Sequence, residues 1–238
     1  PVLEMLDTLL GKSGEEADKL IFHAQHPGGK EELALRYDLT VPLARYVAMH
    51  EHDLSTPFRR YHIAPVWRGD RPQKGRYREF YQCDVDIVGV KGMAADAEIV
   101  SLLAAALGRL GFQDFTVHIN NRKILTGIGA YAGVPEMQLG DLYRSIDKLD
   151  KIGLDGVKKE LAESGIAADV IGRMMDLLQL RDGGLDALGQ VREQLAGVDV
   201  ALEGLTELEQ MVTYLGQMGV PEERFTVDLA MVRGLGYY

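Results

Sequence analysis

The 238-residue sequence predicts an α+β fold that contains a small helical insertion. Residues 1–136 mix short runs of β-branched and aromatic residues, typical of strands, with segments of helical apolar spacing. Residues 137–221 are rich in Leu, Asp, Glu, Lys and Gly, have almost no aromatic residues and show only helical spacing. Residues 222–238 return to a strand-like sequence. Because strand signals flank the helical block on both sides, we expect 137–221 to be inserted into a single domain.

Composition excludes several classes of protein. With 46% hydrophobic and 26% charged residues, the chain has the composition of a globular protein, and no apolar run approaches the roughly 20 residues of a membrane-spanning helix. The single cysteine, Cys83, excludes an intrachain disulfide and suits a reducing compartment such as the cytoplasm. The net charge of -10 argues against a generally basic surface that binds nucleic acid.

The first elements are a helix and then a strand that leads into a second helix. Apolar residues recur at helical spacing over residues 3–10 and stop at Gly11, which predicts the first helix. Residues 32–42 have the pattern of a strand entering a helix, with Thr40 as the expected N-cap and Pro42 in the first turn.

A strand pair and a further helix are predicted next. Residues 61–68 and 79–89 alternate in strand fashion around a polar turn at 69–75, which predicts an antiparallel pair joined by a long loop. Residues 96–110 predict an amphipathic helix, and residues 115–120 predict another strand. The apolar face expected for that helix comprises Ile99, Leu103, Ala106, Leu107 and Leu110.

Short helices and one last strand complete the expected elements. Within 137–221, helices are predicted at 142–149, 157–164, 167–180 and 203–218. Residues 225–232 then predict a strand.

Basic residues are concentrated between positions 59 and 78, where seven of them accompany a single acid, Asp70. Arg68 lies within an apolar strand pattern, where a cation is costly to bury unless it meets an anion. Arg76 and Arg78 continue the every-second-residue pattern of Phe80 and Gln82 in the second strand. The two strands are therefore expected to present guanidinium groups on one face. Such groups bind phosphate oxygens in bidentate fashion. The seven basic residues are Arg59, Arg60, Arg68, Arg71, Lys74, Arg76 and Arg78.

Two interpretations of the basic segment stay open at this point. It is either a solvated loop or a phosphate site on a sheet, because no Walker-type loop and no GxGxxG motif occurs. Asp84 and Asp86 share a strand face with Gln82, and such carboxylates suit a substrate ammonium or a metal. The alternative is ion pairing with Arg76 or Arg78 across the hairpin. The histidines are scattered and are expected to be structural or surface residues.

These segments together resemble the histidyl-tRNA synthetases, a family of class II aminoacyl-tRNA synthetases. Residues 58–89, FRRYHIAPVWRGDRPQKGRYREFYQCDVDIVG, resemble motif 2 in its histidine-specific form, and residues 35–42 resemble the segment before it. Residues 233–238, Arg-Gly-Leu-Gly-Tyr-Tyr, resemble the family's Arg-Gly-Leu-Asp-Tyr-Tyr, and the first helix resembles the end of motif 1. The resemblance implies the class II antiparallel sheet flanked by helices, with the family's helical insertion at 137–221.

The resemblance also implies an activity and a set of site residues. The implied reaction ligates histidine to tRNA(His) through a histidyl-adenylate, with ATP and its Mg²⁺, in a cytoplasmic homodimer. Arg68 would hold the ATP α-phosphate and the histidine carboxylate, and Arg233 would take the place of a catalytic metal on that phosphate. The implied histidine-binding residues are Asp38, Leu39, Thr40, Gln82, Asp86, Tyr237 and Tyr238. The implied ATP-binding residues are Arg68, Arg76, Arg78 and Glu79, with Arg71 near ATP or the tRNA acceptor end.

Two departures from the family pattern accompany the resemblance. Gly236 stands where the family has Asp, which removes a carboxylate near the pocket. The sequence stops at Tyr238, before the family's motif 3 and anticodon-binding domain, so a catalytic-domain fragment is expected. The alternative function is that of the synthetase-like regulatory subunit of ATP phosphoribosyltransferase, which binds histidine without aminoacylation. Arg233 and an intact motif 2 favour the enzyme.

Overall fold

The computed structural model describes residues 1–12 and 15–232, which form two compact units. Residues 1–91 belong to the first unit, and the second begins at Gly92. The division of the sequence into a core (1–136), a helical insertion (137–221) and a return to the core (222–238) stays a prediction.

The first unit begins with a small antiparallel sheet. Its strands are β1 (Leu3–Met5), β2 (His23–Ala24) and β3 (Leu33–Leu35), in the order β1-β3-β2. Two short helices, α1 (Leu6–Leu9) and α2 (Glu15–Asp18), lie between β1 and β2 in the chain. The predicted helix over residues 3–10 is therefore wrong in its first half, because Leu3 to Met5 pair with β3.

Burial within β1 explains this difference. Leu3 and Met5 are exposed, whereas Glu4 between them is 6% exposed, which is the alternation of a strand. Glu4 pairs with Arg45 of helix α3 (Thr40–Met49): Arg45 Nη2 donates to Oε1 at 3.1 Å, and Nε lies 3.1 Å from Oε2. The second contact lacks hydrogen-bond alignment, since Arg45 Nε has no hydrogen-bond partner. The inward position of β1 is thus occupied by a charged residue. The spacing of apolar residues therefore does not reveal this strand.

Helix α3 begins at Thr40 as its first helical residue, so the predicted N-cap role of Thr40 is wrong. The side chain of Asp38 supplies the capping bond instead, because its Oδ1 accepts the main-chain N–H of Val41 at 3.0 Å. Leu39 between them already has helical backbone angles and is fully buried. The predicted position of Pro42 in the first turn is confirmed.

A long hairpin completes the first unit and confirms the predicted antiparallel pair. Strands β4 (Phe58–Trp67) and β5 (Glu79–Val88) pair over ten residues each, with Arg60 opposite Asp86 and Ala64 opposite Gln82. Ala64 and Val66 pack with Phe80 against Leu39, so the even-numbered face is covered at its centre. The other face is open, with Tyr61, Ile63 and Tyr81 exposed.

The second unit contains the predicted amphipathic helix, α4 (Ala94–Arg109). Its predicted apolar face is wrong: Ala97 and Val100 are buried, whereas Leu103 is 43% and Leu110 74% exposed. Apolar residues occur around most of this helix, so periodicity alone does not decide which side packs inward. Helix α10 (Asp199–Gln217) packs against α4 and selects the side with the smaller residues.

A parallel strand pair and a capped helix lie beside these helices in the same unit. Strands β6 (Val117–Ile119) and β7 (Phe225–Val227) confirm the two predicted strands in shortened form. Helix α5 (Arg122–Ala132) had no counterpart among the predicted elements. It begins after Asn121, whose side chain accepts the N–H of Lys123, and it ends at Gly133 with a φ of 80°.

The predicted helical character of residues 137–221 is confirmed, because no strand occurs within them. Helices α6 (Leu139–Ile146), α7 (Leu149–Glu163), α8 (Ala168–Leu178) and α9 (Leu188–Gln194) precede α10. Short 3₁₀ segments occupy Glu136–Gln138, Gln179–Ala187 and Glu222–Arg224. The fully buried side chains include Leu142, Ile146, Leu161, Met174, Leu177, Leu178, Leu195 and Leu205. None of the described helices is both long and apolar enough to cross a membrane.

Two glycines let α5 and α10 approach closely. A Cβ added at Gly127 would lie 2.3 Å from Cβ of Ala201, and one added at Gly204 would lie 2.9 Å from Cβ of Lys123. In both cases the obstructing atom lies at or next to the main chain of the opposite helix, so it cannot swing away. The contact between these helices therefore requires glycine.

We expect Gly127→Ala to lower the free energy of unfolding by about 1–3 kcal/mol, because the added methyl overpacks the α5–α10 contact. Gly172→Ala in α8 is the matched control, since nothing lies within 4 Å of a Cβ at that position. The control should raise stability by about 0.4–1 kcal/mol through reduced chain entropy of the unfolded state. Urea unfolding of both variants measures the difference, and equal stabilities would contradict the close-contact argument.

Candidate functional site

Arg68, directly after β4, has its guanidinium group in contact with two aromatic rings. Its Cζ lies 4.3 Å from the ring centre of Tyr37 and 5.1 Å from that of Phe80. Its Nε donates to the carbonyl of Tyr37 at 3.2 Å, and its main-chain N–H donates to the carbonyl of Arg78 at 2.9 Å. The contacts with two rings and the hydrogen bond of Nε together restrict the orientation of the group. Within the described chain its two Nη nitrogens donate no hydrogen bond, so they are available to an anion.

A cavity of about 360 Å³ adjoins this guanidinium. Asp70 supports the loop at its edge: its carbonyl accepts from Nε of Arg78 at 3.2 Å, and its Oδ1 lies 3.8 Å from Nη1 of Arg76. Two arginines and one carboxylate thus leave excess positive charge at the cavity, which suits a phosphate. The lining residues are Leu20, Tyr37, Arg68, Asp70, Gly75, Arg76, Tyr77 and Phe80.

Arg76 and Arg78 of the predicted ATP set lie outside the predicted strand, although Arg76 lines the cavity of Arg68. Strand β5 begins at Glu79, so Arg76 and Arg78 belong to the connecting loop and do not alternate along the strand as predicted. The loop turns back on itself there, through hydrogen bonds between Gln73 and Arg76. Glu79 accepts from the indole N–H of Trp67 at 3.0 Å and does not line the cavity of Arg68.

The predicted common face of Gln82, Asp84 and Asp86 is confirmed, and it also presents Arg60 and His62 from β4. Arg60 Nη2 donates to the carbonyl of Leu39 at 3.0 Å and lies 2.9 Å from Oδ2 of Asp86. Asp86 therefore pairs with Arg60, directly opposite in the register, and the alternative of pairing with Arg76 or Arg78 is wrong for this carboxylate. Sequence reasoning missed this role of Arg60, although the strand register would have indicated it.

Three polar atoms on this face are buried without a hydrogen-bond partner. They are Oε1 of Gln82, Oδ2 of Asp86 and Nε of Arg60. The short contact between Asp86 and Arg60 is an ion pair without hydrogen-bond alignment, which is why Oδ2 of Asp86 belongs to this set. Buried polar groups are normally satisfied, so this cluster of unsatisfied atoms indicates a place for a polar ligand.

The start of α3 lies against the same face. Leu39 packs on Ala64 and Val66, and the main chain of Leu39 is tied to Arg60. Asp38 is 3% exposed, and Thr40 is the first residue of α3. The structure therefore brings Asp38, Leu39 and Thr40 close to the acidic face, as the predicted histidine-binding set requires.

The carboxylates of this face influence one another. Burial raises the pKa of Asp84, and the negative charges of Asp86 and Asp38 raise it further, against the opposing effects of Arg60 and His62. Burial lowers the pKa of His62, as do the nearby positive charges of Arg60 and Arg36, against the effect of Asp84. The face thus holds concentrated negative charge that favours a bound cation or hydrogen-bond donor.

The other predicted site residues belong neither to the hairpin strands nor to α3. Arg233, Tyr237 and Tyr238 are outside the described residues. Arg71 is exposed in the loop between β4 and β5. Tyr37 and Phe80 were absent from the predicted set, and their sequence context contains no signal for stacking on Arg68.

Comparison with solved structures identifies the fold. The crystal structure of histidyl-tRNA synthetase from Nostoc sp. PCC 7120 matches 100% of this chain and 54% of that chain, with a TM-score of 0.86 and 34% identity. The fold is accordingly that of the class II aminoacyl-tRNA synthetase catalytic domain, as predicted. The family model for histidyl-tRNA synthetase matches residues 1–238, and the chain belongs to that family.

Further relatives bear on function. A histidine--tRNA ligase from Bacteroides fragilis is 44% identical over 259 residues, which cover 100% of this chain and 56% of the relative. A structure from Bacillus halodurans C, described as an ATP phosphoribosyltransferase regulatory subunit/histidyl-tRNA synthetase, matches with a TM-score of 0.81 and 27% identity, over 97% of this chain and 58% of that one. The chain spans about half the length of the curated relatives it matches.

We expect Asp84→Asn to stabilise the protein at pH 7 by less than about 1 kcal/mol, because solvent screens this partly exposed carboxylate. A pKa raised in the folded state means that ionisation of Asp84 opposes folding. The gain should therefore be full above the folded-state pKa and should shrink as the pH falls toward the ordinary value of 3.8.

Thermal unfolding between pH 7 and pH 4 measures this dependence. Asp114→Asn is the control, since Asp114 is exposed and forms no ion pair among the residues that the structure describes. A gain at Asp84 that is equal at both ends of the range would contradict the electrostatic explanation.

Proposed function

We propose that the protein containing this chain activates histidine with ATP and transfers it to tRNA(His). The observation that supports this most strongly is that one face of the hairpin carries both the Arg68 guanidinium, next to Tyr37 and Phe80, and the polar atoms of Gln82 and Asp86, which lie farther along β5. An oriented anion-binding group and a polar pocket on one sheet face suit a reaction between a phosphate and an amino acid.

In the proposed first step, an oxygen of the histidine carboxylate attacks the α-phosphorus of ATP. The bond between that phosphorus and the oxygen bridging to the β-phosphate breaks, and pyrophosphate leaves with the electron pair. This step requires alignment and positive charge rather than proton transfer. Arg68 holds the α-phosphate and the carboxylate together, and Arg233 provides the second positive charge at the α-phosphate.

Selection of histidine is assigned to the acidic face. Asp38, Thr40, Gln82 and Asp86 bind the ammonium and imidazole groups, with Leu39 positioning the main chain between the first two. An apolar amino acid would leave the buried Oε1 of Gln82 unpaired and would offer no hydrogen bond to Asp86, which is a strong basis for rejection. Tyr237 and Tyr238 form the side of the pocket in this proposal.

The remaining contacts to ATP are assigned to the loop and its strand. Arg76 and Arg78 bind the outer phosphates or the tRNA acceptor end together with Arg71, and Glu79 binds near the adenine. Within residues 1–12 and 15–232, no group of three or more His, Cys, Asp or Glu side chains could hold a metal ion. Mg²⁺ enters with ATP, bound to its phosphates, and no step of the chain's own residues depends on it.

In the second step, a terminal hydroxyl of tRNA(His) attacks the carbonyl carbon of the adenylate, and AMP leaves. We propose that the whole protein acts as a homodimer in the cytoplasm. The transfer step and the homodimer are inferred from family membership, and the single cysteine, Cys83, also suits a reducing compartment.

A second candidate function is histidine sensing as a regulatory subunit of ATP phosphoribosyltransferase. The similarity to the Bacillus halodurans structure favours it. A sensor would need the acidic face that binds histidine but not the arginines at the α-phosphate. Exchange of pyrophosphate into ATP distinguishes the two functions, since only the enzyme forms an adenylate.

We expect Arg68→Ala to reduce histidine-dependent ATP–pyrophosphate exchange by the full-length protein by roughly 10²-fold or more, because the α-phosphate and the carboxylate lose their shared partner. Arg68→Lys should recover little, since lysine cannot provide the planar fork. Arg144→Ala is the control: this arginine is 73% exposed on α6 and pairs with Asp141. Exchange that survives Arg68→Ala would contradict the role of Arg68.

We expect Arg233→Ala to abolish ATP–pyrophosphate exchange by the full-length protein while histidine still binds, because its assigned contact is with the phosphate and not with the amino acid. Calorimetric titration with histidine measures binding separately from the reaction. Normal exchange in the variant would remove Arg233 from the mechanism, and absent exchange in the unmodified protein would favour the histidine sensor.

A further inference from the structure

The chain makes a tight, anchored turn just after β7, at residues 228–231. The main-chain N–H of Asp228 donates to the carbonyl of Ile119 in β6, and the N–H of Met231 donates back to the carbonyl of Asp228, both at 3.0 Å. Oδ1 of Asp228 also accepts the N–H of Ala230 at 3.0 Å. We call residues 228–231 the Asp228 turn. Leu229 and Ala230 are buried, so the turn is packed as well as hydrogen-bonded.

Asn120, the residue after β6, holds the far end of this turn. Its side-chain Nδ2 donates to the carbonyl of Met231 at 3.0 Å, and its Oδ1 accepts the N–H of Asn121 at 2.8 Å. Asn121 in turn caps α5 and donates to Glu207 of α10 at 2.7 Å. The amide of Asn120 therefore joins the carbonyl of Met231 to the rigid junction of β6, α5 and α10.

His118 supports the near end of the turn. Its Nδ1 lies 3.0 Å from Oδ2 of Asp228, which accepts a hydrogen bond when Nδ1 carries the proton. The His118 side chain is 52% exposed, so this contact contributes less than the partly buried bond of Asn120. Both oxygens of Asp228 are thus engaged, one by His118 and one by the turn itself.

We propose that Asn120 is a positioning residue that sets the path of the chain into Arg233, with His118 as a secondary support. Arg233 follows Met231 by two residues, and only the buried Val232 lies between them. This inference rests on the proposed function of Arg233 at the α-phosphate. Misplacement of a reacting group by about 1 Å can cost roughly 10²-fold in rate, so anchoring the residues before an arginine has direct value for the reaction.

The test uses Asn120→Asp and Asn120→Ala in the full-length protein. Aspartate keeps the size of the side chain but places an oxygen against the carbonyl of Met231, whereas alanine removes the contact. Both should lower kcat for ATP–pyrophosphate exchange by roughly 10- to 100-fold, with the KM for histidine changed by less than about twofold. A rise in the KM for histidine with unchanged kcat would overturn the proposal.

A matched control separates positioning from a general loss of stability. Gln138→Ala also removes an amide donor to a main-chain carbonyl, but that carbonyl belongs to Ser164 at the end of α7, at 3.5 Å, and not to the Asp228 turn. Its kcat should stay at the unmodified value. His118→Ala should lower kcat by a smaller factor than Asn120→Ala, and His118→Asn, whose Nδ2 takes the place of the Nδ1 donor to Asp228, should restore most of it. An equal loss in the Gln138 and Asn120 variants would overturn the proposal.

A double-mutant cycle shows whether Asn120 acts through Arg233. If it does, Asn120→Asp should reduce activity little further in a protein that already contains Arg233→Lys, a milder change than Arg233→Ala. The fold loss of the double variant will then be much smaller than the product of the two single losses. Fully multiplicative effects would mean that Asn120 acts independently of Arg233, which overturns the inference.

Amide hydrogen exchange provides a readout that does not depend on activity. Asn120→Asp should accelerate exchange at residues 228–232, with the helices α6 to α8 unchanged. Unchanged exchange at 228–232 would overturn the anchoring role even if the enzyme proves active. Accelerated exchange in a protein that forms no adenylate would instead show that the proposed function has failed while the anchor itself is present.

Discussion

The pairing of Phe58–Trp67 with Glu79–Val88 is the constraint on which the candidate site depends. Side chains alternate across a strand, so a shift of one residue would turn Gln82, Asp84 and Asp86 to the opposite face. In the observed register Arg60 lies opposite Asp86, and Phe80 covers the guanidinium of Arg68. Leu39, which packs against Ala64 and Val66 on this face, maintains the register at the centre of the hairpin.

The same register places opposite charges at the two ends of one face. Toward the loop, Arg68 and Arg76 line a cavity that suits phosphates. Toward the other end, the negative charges of Asp84 and Asp86 act on each other, and Arg60 forms an ion pair with Asp86. A net charge of -10 hides this separation, because most of the excess acid is distributed elsewhere along the chain. Average charge is therefore a poor guide to partners for this protein.

Much of the fold and part of the site could be predicted from the residues. The hairpin, the helix at 94–109 and the helical character of 137–221 follow from hydrophobic period, which local sequence encodes directly. The common face of Gln82, Asp84 and Asp86 follows from strand alternation in the same way. The predictions are wrong where a residue distant in the sequence decides the local structure. Glu4 belongs to a strand because it pairs with Ala34 of β3, thirty positions away, and its side chain meets Arg45, forty-one positions away.

What the sequence determined by itself is therefore the order and type of the main elements, and the residue types that a site for phosphate and histidine requires. The tertiary structure alone decided which side of α4 is buried, that Arg60 is the partner of Asp86, and that Tyr37 and Phe80 enclose Arg68. It also decided that Asn120 reaches the carbonyl of Met231, more than a hundred positions away. The physical reason is the same in each case: periodicity acts between near neighbours, whereas ion pairs, stacking and side-chain hydrogen bonds depend on which elements the folded chain places side by side.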